Sequence, residues 1–223
     1  MSGIVAVTGA AGALGRSVAQ HLAKDGWTVV GIDLAEWDGS GLALAIPHVD
    51  LADEQAVAGA VQQVADRFGQ VDALVNIAGG FAWETVAGGS LATWDGLYSM
   101  NLRTAVVSSR AFLPLLKDAR GAIVNIGAAG GVKAGSGMGA YAASKSGVAR
   151  LTEALAEEVK DDGVRVNALL PSIIDTPANR ADMKGADHDR WVKPEELASV
   201  IAFLLTPGAS AVTGALIPVT GRV

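Results

Sequence analysis

The sequence predicts a single α/β domain over residues 1–223, a doubly wound parallel sheet with helices on both faces. Three observations predict it. Short apolar runs alternate with longer amphipathic stretches along the whole chain, the pattern of βαβ units. Gly is abundant at 28 residues, as tight strand-to-helix turns require. Half of the 223 residues are hydrophobic and the mean hydropathy is +0.35, enough to cover both faces of a buried sheet.

Taken in order, Ile4 to Thr8 is a buried strand and Gly9 to Gly15 a glycine turn. The turn opens a helix carrying Val18, Leu22 and Ala23, which Gly26 ends. Trp27 to Ile32 is the second strand, closed by Asp33. Ile46 to Asp50 reads as a short third strand. A helix starts from Asp50-Leu51-Ala52-Asp53 and runs to Phe68, with Val57, Val61, Val64 and Phe68 on its apolar stripe. Asp50 either caps this helix or faces a ligand. Val71 to Asn76 is the fourth strand, and Phe81 to Ser90 is a loop containing Trp83. One long helical pattern spans Leu91 to Lys117, bent or shortened by Gly96 and Pro114. Asn101 lies in its middle, where Asn is usually solvated or capped. Ala122 to Ile126 is a strand, a Gly-rich loop follows, and a helix runs from Tyr141 to Lys160. Val164 to Leu170 is a strand, and Pro171 to Lys193 an irregular segment long enough to be a functional flap. Pro194 to Leu205 is a helix with Pro at its start. Ala215 to Val219 is the last strand.

Composition narrows the function. Net charge is −6 and Lys and Arg are scattered, which argues against a nucleic-acid surface. With no Cys, disulfides and thiolate metal sites are excluded, and the three His residues show no ligand spacing, so no metal is expected. No apolar run reaches the roughly 18 residues of a membrane span. The opening Met-Ser-Gly-Ile-Val-Ala-Val-Thr has no basic region ahead of a long apolar run, so a soluble cytoplasmic protein is expected.

Two constellations carry chemistry. The glycine turn places free backbone N–H groups and a helix dipole where a pyrophosphate can bind. Asp33, eighteen residues beyond Gly15, stands where a carboxylate accepts from an adenosine ribose and repels a 2′-phosphate. Arg16, beside the turn, partly offsets that repulsion. The second is Tyr141 and Lys145, four residues apart on one helix face at the carboxyl end of a strand. A nearby ammonium is expected to lower the phenol pKa from about 10, making Tyr141 an acid/base group.

Together these residues resemble the short-chain dehydrogenase/reductase family, over essentially the whole chain. The resemblance covers the Thr8-Gly9 turn, Asp33, Asp50, Asn76-Ile77-Ala78-Gly79 and Asn101. It continues through Tyr141-Ala-Ala-Ser-Lys145, Val166-Asn167-Ala168, Pro171 and Thr176-Pro177. It implies a Rossmann-type fold, NAD(H) as cofactor, a small-molecule substrate and a homodimer or homotetramer. It implies Tyr141, Lys145 and Asn101 as catalytic residues, Lys145 holding the nicotinamide ribose and Asn101 positioning a water. It also implies a cofactor site of Gly9, Ala11, Gly12, Leu14, Gly15, Asp33, Asp50, Leu51, Asn76, Ala78, Gly79, Tyr141, Lys145, Pro171, Ile174 and Thr176. Two positions depart from the family pattern. Ala13 replaces a glycine of the turn, and Ala128 stands thirteen residues before Tyr141, where the family carries a catalytic Ser. Ser136 is in the same loop but out of register, and reads as structural.

The same departures resemble the dihydropteridine reductase branch, which also has a Gly-x-x-Gly-Ala-Leu-Gly turn and lacks that Ser. Quinonoid dihydropterin reduction is the activity this implies. An alcohol/ketone oxidoreductase working without the Ser is the alternative, and a non-catalytic dinucleotide sensor a third. Phe81, Trp83, Ala128, Met138 and Trp191 are the candidate walls of a substrate site.

Overall fold

Seven parallel strands form one sheet in the order β3-β2-β1-β4-β5-β6-β7, in a computed structural model that describes residues 3–223. The strands are β1 (Ile4–Thr8), β2 (Thr28–Ile32), β3 (Leu44–Ile46), β4 (Ala73–Asn76), β5 (Ala122–Ile126), β6 (Arg165–Pro171) and β7 (Leu216–Val219). The order reverses after β1: β2 and β3 go to one side, β4 to β7 to the other. Ligands bind at such a switch point, outside the carboxyl ends of the strands. The central strands are apolar on both sides, and two hydrophobic layers cover them. One layer packs α1 (Ala13–Lys24) and α7 (Pro194–Leu204) on the sheet through Val18, Leu22, Leu197 and Ile201. The other packs α2 (Glu54–Phe68), α4 (Thr104–Ala119) and α5 (Gly139–Val159) through Val57, Val64, Phe112, Leu116 and Val159.

Several strand and helix ends shift by one or two residues, and four larger differences from the sequence reading have local reasons. The third strand is Leu44–Ile46 and stops before Pro47, which has no N–H for the ladder; His48 then turns with φ +62°. Helix α2 begins at Glu54, and its cap is Asp53, not Asp50. The Asp53 carboxylate accepts from the N–H groups of Gln55 and Ala56, whereas Asp50 accepts only from Ala52. The long helical pattern is α3 (Leu91–Leu97), a π-helical turn over Tyr98–Arg103, and then α4. Pro114 lies within α4, which runs on to Ala119. The segment after β6 contains a short helix, α6 (Pro177–Asp182), started by Thr176 capping Asn179. Among the described residues no helix is long and apolar enough to cross a membrane, and no His/Asp/Glu group is arranged to hold a metal ion.

Candidate active site

The carboxyl ends of β1, β2, β4, β5 and β6 open into a single cleft of about 1560 Å³. One end is built almost entirely from backbone. Gly9 has φ +68°, and a Cβ there would lie 2.7 Å from the Ala78 nitrogen. A Cβ on Gly15 would overlap the Gly9 carbonyl oxygen, so Gly15 lets α1 approach the end of β1, while Gly9 makes room for the loop after β4. Gly12 is the N-cap of α1. It offers no capping side chain, and the first turn carries no acidic residue. The N–H groups of Ala13, Leu14 and Gly15 therefore have no intrahelical partner and face the cleft at a positive helix end. An anion fits there, and among the described residues no side chain caps this helix end.

Asp33 follows β2, and its two oxygens accept from Ala11 N at 2.9 Å and Ala35 N at 2.9 Å. Each oxygen keeps a lone pair for a ligand hydroxyl. Arg16 is tied to the same turn through Nε and the Ala11 carbonyl at 2.7 Å. Asp50 and Leu51 line the cleft beyond Asp33, flanked by Val49 and Ala52. This end fits the pyrophosphate and adenosine of a dinucleotide: free amides for the phosphates, a carboxylate for the ribose and a shallow apolar slot for a ring.

The other end is built from side chains. Tyr141 and Lys145 project from the first turns of α5 into the cleft. Lys145 is 6 % exposed and donates from Nζ to the Ile126 carbonyl at 2.8 Å. Burial lowers its pKa to about 8, so at neutral pH most of it stays an ammonium. Burial pushes the Tyr141 phenol up to about 12. The expected lowering of the phenol pKa is therefore reversed here. The Lys145 ammonium is engaged by a main-chain carbonyl, and desolvation of the phenolate dominates.

Asn101 sits in the π-helical turn and is 1 % exposed, contrary to the solvated mid-helix reading. Its Oδ1 accepts from Gly80 N at 2.9 Å, while Nδ2 donates to the Gly80 carbonyl at 3.1 Å and to Ser144 Oγ at 3.0 Å. Ser144 Oγ donates in turn to the Tyr141 carbonyl at 2.7 Å. This chain clamps the loop after β4 to α5. A Cβ on Gly79 would lie 2.5 Å from Asn101 Oδ1 and 3.3 Å from Lys145 Nζ, so Gly79 keeps the two side chains close.

Most of the site residues expected from the sequence line this one cleft: Gly9, Ala11, Gly12, Leu14, Gly15, Asp33, Asp50, Leu51, Ala78, Gly79, Tyr141, Lys145, Pro171, Ile174 and Thr176. Phe81, Ala128 and Met138 line it too, and the Phe81 ring meets Tyr141 edge-on at 4.9 Å. Four candidates do not: Asn101, buried behind Gly79 and Gly80, and three more. Asn76 lies inside the sheet layer, where Nδ2 donates to Ser109 Oγ and Asn125 Oδ1. Trp83 stacks over Gly137 outside the cleft and donates from Nε1 to the Ser136 carbonyl at 2.9 Å, so it braces a loop. Trp191 is 4 % exposed and packs on His188. Sequence reasoning missed the Ile126 carbonyl, Ser144, Met100 and Lys133. Ser144 had a signal, lying three residues past Tyr141 on the same helix face; Met100 had none.

A model of the family described as short chain dehydrogenase matches residues 3–187. The chain belongs to the short-chain dehydrogenase/reductase family. Among relatives of this family, the chain is 31 % identical to meso-2,3-butanediol dehydrogenase of Serratia marcescens, over 98 % of this chain and 93 % of that one. It is 30 % identical to a 3-oxoacyl-acyl-carrier-protein reductase of Thermotoga maritima, over 96 % and 95 %. A 3-ketoacyl-acyl-carrier-protein reductase from Brucella melitensis, solved with NADH, superposes with TM-score 0.87 at 29 % identity, covering 98 % of this chain and 97 % of that one. The Brucella melitensis enzyme thus shares the fold over nearly the whole of both chains.

Proposed function

We propose that this protein is an NAD(H)-dependent oxidoreductase that reduces a flat, conjugated, electron-poor acceptor of the quinonoid dihydropterin kind, with Tyr141 as proton donor. The observation that carries the reading is Ala128. It lines the cleft where the family pattern puts a catalytic hydroxyl, in the same loop as Gly130, which lies against the Tyr141 ring. Charge develops on the oxygen of a simple ketone as hydride arrives, and a missing oxyanion donor costs about 10²–10³ in rate. A quinonoid ring spreads that charge through its own conjugation and depends less on the donor.

The glycine turn, Asp33, Asp50 and Leu51 would hold the dinucleotide, and Asp33 would favour NADH over NADPH by repelling a 2′-phosphate. Bound NADH would supply the hydride. Tyr141, with its phenol pKa raised, carries its proton at neutral pH, the state a proton donor requires. Lys145 places a positive charge beside the reacting region. Asn101 and Ser144 hold the loop after β4 and the turn bearing Tyr141 in register. We take the enzyme as cytoplasmic and a homodimer or homotetramer; Leu91, Tyr98 and Val106, on α3, the π-helical turn and α4, are exposed apolar residues available for assembly.

A second reading, alcohol/ketone oxidoreductase, is favoured by the names of the relatives, butanediol dehydrogenase and 3-oxoacyl reductase. A dinucleotide sensor needs no Tyr141 and Lys145 in the cleft. Loss of NADH absorbance, followed with quinonoid dihydropterin, a naphthoquinone and simple ketones and repeated with NADPH, separates these readings. We expect turnover of the conjugated acceptors with NADH. Preference for simple ketones supports the second reading, and NADPH preference removes the role given to Asp33.

A further inference from the structure

The charges lining the cleft are segregated. Asp33 and Asp50 stand at the adenosine end, Lys145 lies buried on the floor, and Lys133 is the remaining charged side chain on the wall. Beyond the two Asp residues the lining includes the apolar Phe81, Met100, Met138, Ile173 and Met183, and Met138 lies against the Lys133 loop at Gly130 and Gly135. Lys133 lies in the loop between β5 and α5 that wraps Tyr141. Gly130, three residues before it, would place a Cβ 3.7 Å from the Tyr141 ring. The loop is held on both sides of Lys133. Ser146 Oγ donates to the Gly131 carbonyl, and Trp83 Nε1 donates to the Ser136 carbonyl. Lys133 itself is exposed, and among the described residues no carboxylate lies within ion-pair distance of it. Lys133 is thus an exposed cation on the cleft wall, in a chain of net charge −6.

We infer that Lys133 selects acceptors that carry an acidic substituent, a carboxylate, sulfonate or phosphate on the edge of a flat apolar ring. The inference rests on the acceptor reading of this end of the cleft. The ring lies among Phe81 and the Met side chains, and the acidic group reaches the lip, where Lys133 meets it. An exposed pair of this kind contributes up to about 1 kcal/mol, or roughly fivefold in affinity.

The test compares 1,4-naphthoquinone with 1,4-naphthoquinone-2-sulfonate as acceptors for NADH, in wild type, Lys133→Gln and Lys133→Arg. The ratio of kcat/KM, sulfonated over neutral, should fall about fivefold in Lys133→Gln and recover in Lys133→Arg. In wild type it should also fall as salt is raised, because the pair is exposed. Calorimetric binding of naphthalene-2-sulfonate and 2-naphthol to the same proteins gives a readout that needs no turnover. A ratio unmoved by Lys133→Gln in both measurements overturns the inference even if both acceptors are reduced. Conversely, if no acceptor is reduced but Lys133→Gln weakens sulfonate binding selectively, the Lys133 subsite stands and the hydride-transfer reading falls.

Discussion

At the β1–α1 end the cleft wall is backbone, and at the β5–α5 end it is side chains. The first is set by Gly15, whose missing Cβ lets α1 close on the end of β1, by Gly9, whose missing Cβ admits the Ala78 backbone, and by unpaired N–H groups at a helix end. A backbone site of this kind recognises what all dinucleotides share. The second is set by Tyr141, Lys145, Phe81, Met138 and the small Ala128, so single substitutions can re-aim it. The difference teaches that cofactor binding and acceptor choice are separable in this fold, and that they fail in different ways.

The largest effect should come from the side-chain end. Tyr141→Phe is expected to lower kcat by roughly 10²–10⁴, the usual worth of a positioned proton donor, with thermal unfolding little changed. Near-full activity in that variant, with the best acceptor found, would remove Tyr141 from the mechanism.

At the backbone end the sharper probe is a pair of glycines. Gly15→Ala forces a Cβ into the Gly9 carbonyl and should destabilise the protein by about 1–3 kcal/mol, as overpacking does, and weaken NADH binding. Gly12→Ala, whose Cβ would meet the Gly9 oxygen at 3.4 Å, should be close to neutral in denaturant unfolding. Equal effects of the two would mean that the turn is not set by close approach.

A smaller effect separates the two ends by pH. Lys145 has its pKa lowered from 10.5 to about 8, so between those values the unfolded chain binds the extra proton. Stability of the cofactor-free protein should therefore rise with pH from about 8, by at most about 1.4 kcal/mol per unit. Above about 10 the raised Tyr141 pKa works in the opposite sense, because the unfolded phenol ionises first. Urea unfolding of wild type and Lys145→Met across this range should show the difference between them change from pH 8 to 10. A constant difference would show that Lys145 titrates normally.

The contrast also explains what could be read from residues alone. The alternation of strands and helices, the glycine turn, Asp33 and the Tyr141/Lys145 pair were legible because each depends on local periodicity or short spacing. The third strand was misplaced because Pro47 and His48 end the ladder by backbone geometry that an apolar pattern does not report. Asp53 took the cap expected of Asp50 because its carboxylate reaches two helix N–H groups. Asn101 looked like a solvated residue in a helix. Its burial depends on a π-helical turn and on Gly80 and Ser144, contacts that cross 21 and 43 residues of chain. Trp83 and Trp191 were plausible aromatic walls by composition, but their directions are set by tertiary packing. The phenol pKa was misjudged because proximity of Lys145 in sequence does not reveal that its ammonium turns to the Ile126 carbonyl.

The account stands most directly on Ala128, and one measurement addresses it. The ratio of kcat/KM for quinonoid dihydropterin over a simple ketone, with NADH, is compared between wild type and Ala128→Ser. The account predicts a strong preference for the dihydropterin in wild type. It predicts that the new hydroxyl lowers the ratio about tenfold by speeding the ketone, a fraction of the full worth of an oxyanion donor. A wild-type protein that prefers the ketone, or a ratio that Ala128→Ser leaves unchanged, would contradict it.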